Sequence, residues 1–329
     1  MKQQLLHALA LAACLLAPSP ACRAQDEIFA TNSNSNAVTV YGRNANGNVA
    51  PLRVLTGNAT GLGSPSGIAV DLVNDEIYVV NKTPPYSVTV YPRTANGNVA
   101  PLRTLTGALT GLDDPRGVAV DPVNGEFAVA NRAGFSVTVY ARAANGNVVP
   151  LRTLLNTGFS NPWGVLIDVA NNEIAVANNG NLLSVYPRTG NGNVAPSRTI
   201  SGSNTGFNNG PIGIALDVAA DAYLVTNPFY GVPSQPALLA FGRTAAGNAL
   251  PTSVWGGAGT GMSNPNGVAV DPIRQQYLVA NSGANSITVY ERFLTGAVGP
   301  SRTIAGGSTL LNNPQFLALT SSLFADGFE

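Results

Sequence analysis

The sequence predicts an all-β fold, a six-bladed β-propeller of four-stranded antiparallel blades, with the ring closed by N- and C-terminal strands that share one blade. Three observations predict this fold. A unit of 46 to 55 residues recurs along the 329-residue chain. Each unit contains four short runs rich in Val, Ile and Tyr. The chain also begins and ends with complementary parts of one unit.

The period is measured most easily from the aromatic residue that ends the third run of each unit. The segment 43–57 reads RNANGNVAPLRVLTG and the segment 93–107 reads RTANGNVAPLRTLTG, so even the connection after that residue is copied. Four-stranded units of about 40 to 50 residues are typical of propeller blades. The aromatic residues are Tyr41, Tyr91, Tyr140, Tyr186, Phe241 and Tyr290.

The four runs follow the patterns GVAVD, EIYVVN, SVTVY and APLRTL, and we expect them to form the first to fourth strands of a blade. β-Branched and aromatic residues bounded by Gly, Asn, Pro and Asp predict short strands with tight turns. Asn96-Gly97, between a third and a fourth run, predicts a two-residue hairpin turn. Small residues in the first run suit the crowded centre of a propeller, and they are Ala69, Ala119, Ala215, Ala269 and Ala318.

The two ends of the chain predict how the ring closes. Residues 27–32 resemble a second strand, and residues 316–320 resemble a first strand that has no unit of its own. If both lie in one blade, the ring has no open sheet edge. The alternative is an open β-solenoid, which needs terminal repeats with a polar outer face. The sequence contains no such repeats.

The sequence divides into three segments. Residues 1–24 have the charged start, short apolar run and small-residue end of a secretory signal peptide. The apolar run is too short for a membrane-spanning helix, and no second one follows. Residues 25–321 form the propeller, and residues 322–329 form a tail that is either a short edge strand or a secretion tag. We therefore expect a secreted or periplasmic protein; the alternative is a lipoprotein anchored at Cys14, because residues 11–14 resemble a lipobox.

Removal of the leader changes which chemistry is available. His7, Cys14 and Cys22 all lie in it, so the mature chain has neither His nor Cys. Ser-His-Asp and Cys-His catalysis are excluded, as are zinc sites built on these residues. Lys2 and Arg23 are also lost, so 15 of the 17 basic residues remain against 17 acidic ones. This balance gives no electrostatic reason to bind nucleic acid, and we expect a monomer.

One face of the predicted disc repeats the same groups in nearly every unit. Asp residues end the first runs, and Arg residues follow the third runs. They either form a charged ring for a partner or serve as turn acceptors and ties between neighbouring hairpins, and the repetition favours ties and turns. On the opposite face, an Asn ends each second run, where it either builds an Asx turn or contributes to a calcium site. These residues are Asn32, Asn81, Asn131, Asn178, Asn227 and Asn281.

The opposite face, formed by the second-to-third and fourth-to-first connections, is where the units differ. The residue between Pro and Gly at the start of the first strand varies between units, as does the residue after the Asn of the second strand. Arg, Lys and aromatic residues there suit an anionic or sugar-like ligand. The alternative is that these loops are under no functional constraint and that their sequences differ through drift. Our candidate ligand-binding residues are Arg116, Trp163, Asn266, Gln315, Lys82, Arg132, Tyr86, Phe229 and Tyr230.

The repeats also resemble those of a known family. The segment 115–131, PRGVAVDPVNGEFAVAN, and its copies resemble NHL repeats and the gluconolactonase-like propellers over nearly all of the mature chain. The resemblance implies a six-bladed propeller but not one activity, because such families include lactonases, lyases, quinone-dependent dehydrogenases and binding modules. The lyases and dehydrogenases rely on a histidine that this chain lacks. The gluconolactonase-like enzymes hold a divalent metal through Glu, Asn and Asp, of which only Asn266 has a counterpart here.

Two main hypotheses about function follow, and a third is less favoured. The first is an exported, non-enzymatic propeller that binds a small molecule, a glycan or a protein and needs no cofactor. The second is a lactonase-like, metal-assisted hydrolase. The third is a structural envelope or matrix protein. A carboxyl group of raised pKa beside a metal at the channel mouth would favour the hydrolase. A dry, Ala-lined channel with no carboxylate would favour binding.

Overall fold

A computed structural model describes residues 26–155, 158–208, 210–230 and 235–320. The predicted leader (1–24) and the tail (322–329) lie outside these ranges, as does the side chain of Tyr230. No helix within these ranges is long and apolar enough to cross a membrane. The helices are short 3-10 turns, at Asn58–Thr60, Ala108–Thr110, Ser203–Thr205, Ala258–Thr260 and Gly307–Thr309.

The described chain forms six antiparallel blades, which confirms the predicted fold class. Blade 1 joins β25 (Pro314–Leu319) to β1 (Glu27–Asn32), β2 (Ala37–Gly42) and β3 (Arg53–Thr56). Blade 2 contains β4 (Pro65–Asp71), β5 (Glu76–Asn81), β6 (Ser87–Pro92) and β7 (Arg103–Thr106). Blade 3 contains β8 (Pro115–Asp121), β9 (Glu126–Asn131), β10 (Ser136–Ala141) and β11 (Arg152–Leu155).

The second half of the ring repeats this order. Blade 4 contains β12 (Pro162–Asp168), β13 (Glu173–Asn178), β14 (Leu182–Pro187) and β16 (Arg198–Ile200), while the short β15 (Gly192–Asn193) pairs with β11 of blade 3. Blade 5 contains β17 (Ile214–Asp217), β18 (Ala222–Tyr230), β19 (Gln235–Gly242) and β20 (Ser253–Gly256). Blade 6 contains β21 (Pro265–Asp271), β22 (Gln276–Asn281), β23 (Ser286–Glu291) and β24 (Arg302–Ala305).

Blade 1 confirms the predicted closure of the ring by the two ends of the chain. β1 pairs with β25 in antiparallel register, with Ile28 opposite Leu319 and Phe29 opposite Ala318. The N-terminal and C-terminal strands therefore lie side by side in one sheet, and no blade is left with an open inner edge.

The hydrophobic core lies between the blades. Each of its six clusters takes buried side chains from two adjacent blades; one, for example, packs Phe29 and Val38 of blade 1 against Ile77 and Tyr91 of blade 2. Strands in such a sandwich are covered on both faces, which explains why the runs are apolar without alternation.

The copied connection after each third strand docks on the preceding blade, so the predicted two-residue turn at Asn96-Gly97 is wrong. β6 ends at Pro92 and β7 begins at Arg103. Gly97, at φ 73°, donates its N–H to the carbonyl of Val54 (2.8 Å) and accepts from the N–H of Thr56 (3.1 Å). The Asn96 side chain accepts from the N–H of Val54 at 3.1 Å. The Asn-Gly pair thus joins blade 2 to the outer strand of blade 1.

The same docking recurs around the ring. Isolated parallel bridges join Gly47 to Ile304, Leu55 to Gly97, Leu105 to Gly146, Ile200 to Gly247 and Trp255 to Gly296, and β15 pairs with β11 at the remaining junction. The copied fifteen residues are therefore repeated because each copy fastens one blade to the blade before it.

Arginine side chains tie the blades together on the same face, which confirms the prediction of ties between neighbouring hairpins. Arg243 of blade 5 holds the buried Asp168 of blade 4, with 2.5 Å from its Nε to Oδ2. Blade 1 has no Asp at the end of its first strand, and Arg93 of blade 2 holds Glu27 there instead. The remaining pairs are Arg43–Asp271, Arg142–Asp71, Arg188–Asp121 and Arg292–Asp217.

Breaking one of these buried pairs from one side will destabilise the ring. We expect Arg243→Met to lower the free energy of unfolding by about 3–5 kcal/mol, because Asp168 loses its partner while buried. The double variant Arg243→Met/Asp168→Leu should recover most of the loss. Arg142→Met is the control, because Arg142 is more exposed and 3.7 Å from Asp71. Urea unfolding measures all three, and a loss within about 0.5 kcal/mol for Arg243→Met would contradict the expectation.

Buried tyrosines will make the fold sensitive to alkaline pH. Burial raises the pKa of Tyr41, Tyr91 and Tyr223 from 10.0 to about 12. A folded-state pKa above the unfolded value means that stability is intact below pH 10 and falls as the pH rises towards 12. Thermal midpoints and tyrosinate absorbance should change together over this range. Tyr91→Phe should reduce the loss, and a midpoint that stays constant to pH 12 would refute the expectation.

Candidate functional site

The variable residues that follow the first-strand prolines form one mouth of the central channel. We call this ring the Pro-x-Gly mouth. The glycines beside it allow the innermost strands to approach closely: a Cβ on Gly67 would lie 2.6 Å from the carbonyl oxygen of Arg116, and a Cβ on Gly117 would lie 2.6 Å from that of Trp163. The six residues of the ring, one per blade, are Ser66, Arg116, Trp163, Ile212, Asn266 and Gln315.

Two arginines and a carboxylate surround Trp163. The Arg116 guanidinium carbon lies 4.5 Å from the Trp163 ring centroid, and that of Arg132 lies 5.7 Å from it. Arg116 donates from Nη2 to Asp114 (3.0 Å), and Arg132 donates to the same carboxylate from Nε. Arg116 is buried, whereas the Arg132 side chain is 40% exposed. Asp114 is the member of this cluster that the sequence pattern did not single out, although it lies only two residues before Arg116.

Lys82 adds a third cation. Its Nζ lies 3.5 Å from Oε1 of the buried Gln315, which in turn donates from Nε2 to Asn313 Oδ1 at 2.8 Å. Burial lowers the pKa of Lys82 to about 8; Arg116 and Arg132 lower it as well, whereas Asp114 opposes them. Burial also lowers the pKa of Arg116. These shifts show that the fold holds the cations at an electrostatic cost.

Several donors of the Pro-x-Gly mouth have no partner. Ser66 Oγ, Arg116 Nε and Trp163 Nε1 are buried and lack a hydrogen-bond partner among the described residues. They belong to consecutive blades, 2, 3 and 4. An unsatisfied buried donor costs about 1–3 kcal/mol, so a ligand or water that accepts from these atoms would recover that free energy.

The remaining candidate residues have few described contacts with the cluster around Trp163. Tyr86 is half-buried and close enough to Arg116 to influence its pKa. Asn266 is buried, and its carbonyl accepts from Thr226 Oγ1. Phe229 is exposed and lies within β18. β18 extends to Tyr230, beyond the Asn at which the second strand ends in the other blades.

The Asn side chains at the ends of the second strands make structural hydrogen bonds wherever their bonds are described. Asn81 Oδ1 accepts from the N–H of Gly63 (3.0 Å), and its Nδ2 donates to Thr89 Oγ1 (3.0 Å). Asn131 and Asn281 repeat both bonds. These bonds join the loop that precedes a blade to the second strand of that blade. No group of three His, Cys, Asp or Glu residues suited to a metal occurs in the described ranges, and calcium binding stays a prediction.

The opposite mouth opens into a cavity of about 560 Å³. The innermost strands line it with small and aliphatic side chains, among them the predicted Ala69, Ala119 and Ala215. Asp217 is the one carboxylate among the described lining residues, and it already binds Tyr277 Oη (2.6 Å) and Arg292 (2.8 Å). None of the nine candidate ligand-binding residues lies in this lining.

Comparison with known proteins identifies the fold and no family. The structure is similar to a chain in the crystal structure of a nidogen/laminin complex, with a TM-score of 0.62 and 12% identity over 90% of this chain and 99% of that one. It is also similar to the WD40 propeller domain of Doa1, with a TM-score of 0.57 and 12% identity over 86% of this chain and 80% of that one. No family model and no curated protein matches the sequence. The NHL resemblance is thus confirmed at the level of the six-bladed propeller.

Removing the charge of Lys82 will stabilise the free protein. The pKa of Lys82 falls from 10.5 to about 8 on folding, so the penalty on its protonated form is complete below pH 8 and disappears as the pH rises to 10.5. Lys82→Met should therefore melt at a higher temperature than the wild type at pH 7, with the difference shrinking between pH 8 and 10.5. The control, Lys82→Arg, keeps the charge and should show no gain. Equal melting temperatures for Lys82→Met and the wild type at pH 7 would contradict the expected penalty on the protonated form of Lys82.

Proposed function

We propose that this protein is an exported, non-enzymatic propeller that binds a small anionic ligand, such as a carboxylate- or phosphate-bearing molecule or an acidic sugar, at the Pro-x-Gly mouth. One observation carries the proposal. The charged groups that influence the pKa of Lys82 are Arg116, Arg132 and Asp114. Three cations, counting Lys82 itself, thus lie around one carboxylate. The site therefore has an excess of positive charge.

The arrangement offers both charge and stacking to such a ligand. Lys82, Arg132 and Trp163 are partly exposed and form the accessible side of the cluster. Arg116 Nε and Ser66 Oγ lie behind them as unpaired donors. An anion that accepts from these groups would relieve the repulsion among the cations and satisfy buried donors at the same time. The indole of Trp163 adds an apolar face for a sugar or aliphatic body.

The lining of the channel favours binding over hydrolysis. The hydrolase hypothesis needs carboxylates that face the axis and are free to hold a metal or a water. Asp217, the carboxylate in the described lining, is engaged by Tyr277 and Arg292. The likeness to a propeller from a nidogen/laminin complex supports a role in recognition only in general terms, because 12% identity establishes the fold alone.

Fluorescence of Trp163 gives a direct test. The chain has two Trp residues, and Trp255 is buried, so a collisional quencher reports mainly on Trp163. Iodide, an anion, should quench more strongly than the neutral quencher acrylamide at low salt, because the cations concentrate it. In the variant Arg116→Gln/Arg132→Gln, iodide should no longer quench more strongly than acrylamide, and quenching by acrylamide should stay unchanged. Arg142→Gln, on the other face, is the control.

A titration with small anions extends the test. Citrate, inorganic phosphate and glucuronate serve as probes, with calorimetry and thermal shift as measurements. We expect a tightly held anion to bind at least about 100-fold more weakly to the double variant, because each of the two lost charge-assisted bonds is worth about 1.5–3 kcal/mol. Binding should also weaken above pH 8 as Lys82 loses its proton. Equal iodide quenching in all variants, together with no binding of any probe, would refute the proposal.

A further inference from the structure

The second mouth of the channel carries exposed apolar side chains. We call it the turn mouth, because the turns that follow the innermost strands form it. Three of these turns place a large apolar residue two positions after the Asp that ends the strand: Val73 (71% exposed), Val123 (56%) and Ile273 (55%). Asp71 Oδ1 accepts from the N–H of Val73 at 2.9 Å, and Asp271 Oδ1 accepts from that of Ile273 at 3.1 Å. The Asp and the main chain hold the turn, so the turn itself does not require an apolar side chain there.

The cavity of about 560 Å³ begins at this mouth and narrows towards the other one. Val73 is part of its lining, whereas the glycines of the Pro-x-Gly mouth are not. At those glycines the innermost strands touch each other. A Cβ on Gly164 would lie 2.5 Å from the carbonyl oxygen of Ile212, and a Cβ on Gly267 would lie 2.6 Å from the Cα of Phe316. A ligand in the cavity therefore enters from the turn mouth.

The lining combines aliphatic side chains with main-chain polar groups. Each innermost strand lies at the end of its sheet, so one edge pairs with the second strand of the blade and the other edge faces the channel. An unpaired strand edge presents a row of N–H and C=O groups. Apart from Asp217, the described side chains of the lining are aliphatic or proline and offer no hydrogen bond. The hydrogen-bonding groups open to a ligand are thus those of the main chain.

Among the described lining residues, no charged group is free to pair with a ligand. Asp217 Oδ2 accepts from Tyr277 Oη at 2.6 Å, and its Oδ1 accepts from Arg292 at 2.8 Å. A charged ligand would lose its hydration in this cavity without gaining a counter-ion, which is costly. A neutral polar group has a smaller loss, because it can exchange hydrogen bonds with water for hydrogen bonds with a strand edge.

We propose that the cavity at the turn mouth binds a neutral amphiphile, a molecule with an aliphatic body and a small uncharged polar group such as an amide, a hydroxyl or an ester. The aliphatic body lies against the Val, Leu and Ile side chains of the lining, and the polar group pairs with an innermost strand edge. A cavity of about 150 Å³ holds benzene, so a cavity of this size suits a ligand of about ten to twenty non-hydrogen atoms. The exposed apolar side chains of the rim extend the contact where the ligand enters.

This site goes beyond the proposed anion site and does not depend on it. The two sites lie at opposite mouths, and none of the nine candidate ligand-binding residues lines the cavity. They also select opposite chemistry, since one has an excess of positive charge and the other has no free charge among its described lining residues. The two proposals are tested with different ligands and different measurements, so either one can fail alone.

A matched pair of competitors tests the chemical class of the ligand. The probe is N-phenyl-1-naphthylamine, a neutral dye whose fluorescence rises in apolar surroundings. We expect the purified protein to bind it saturably and to raise its fluorescence several-fold. Octanamide and octanoate have the same chain and differ in charge at pH 7. Octanamide should displace the dye at a concentration at least about ten-fold lower than octanoate, because only the carboxylate ion loses its hydration without a counter-ion. Equal displacement by the two, or no binding of the dye, would overturn the proposal.

Variants of the lining test where the dye binds. Ala119 and Ala215 line the cavity, and Ala119→Leu/Ala215→Leu fills part of it. This variant should bind the dye at least about ten-fold more weakly than the wild type. Ala108→Leu makes the same change at an exposed position on the opposite face, between β7 and β8, and should bind the dye like the wild type.

A change at the rim keeps the test decisive if the filled variant does not fold. Val73→Ser/Val218→Ser alters two exposed residues that also line the cavity, so the core stays intact. We expect this variant to bind the dye a few-fold more weakly. Equal dye affinity in the wild type, the rim variant and the filled variant would contradict the proposal. Size-exclusion chromatography that shows a dimer in the wild type and a monomer in the rim variant would assign the rim to a second copy and contradict it as well.

Discussion

The fold depends on one interaction that each blade makes with the blade before it. An Arg after the third strand reaches a buried carboxylate of the preceding blade, as Arg243 reaches Asp168, and the following loop adds main-chain bonds such as those of Gly97 with Val54 and Thr56. A propeller has no continuous sheet across its blades, so such contacts must supplement the hydrophobic clusters between them. Because a buried carboxylate without a partner is costly, each junction that holds one closely stabilises the ring.

This constraint divides the molecule into a face that repeats from blade to blade and a face that is free to vary. The Arg, Asp, Asn and Gly residues of the junctions are copied from unit to unit because every junction has the same geometry. The side chains at the Pro-x-Gly positions take no part in these repeated junctions, so each can differ. Three consecutive blades place Ser66, Arg116 and Trp163 there with unpaired donors. Holding Lys82 beside Arg116 and Arg132 has an electrostatic cost, visible in the lowered pKa of Lys82, which the proposed anion would relieve.

The two mouths of the channel have opposite chemistry for a topological reason. Every innermost strand runs in the same direction, so all Pro-x-Gly segments meet at one mouth and all apolar turns at the other. The first mouth gathers cations, and the second gathers Val and Ile side chains above a cavity lined mostly by aliphatic side chains. The closure by β25 breaks the sixfold pattern at the second mouth, where the chain emerges.

The sequence by itself determined the repeat, the four strands of each unit, the blade number and the closure through residues 27–32 and 316–320, because strand patterns are local and the period counts the blades. It also predicted that Arg116, Trp163 and Lys82 lie at one mouth, since strand order alone assigns loops to faces. Only the tertiary structure decided what these side chains touch. Asn96-Gly97 has the local pattern of a hairpin turn, yet its partner is a strand some forty residues away in the preceding blade. Asp114 between two arginines and the cavity beneath Val73 likewise arise from contacts between blades, which no local pattern encodes.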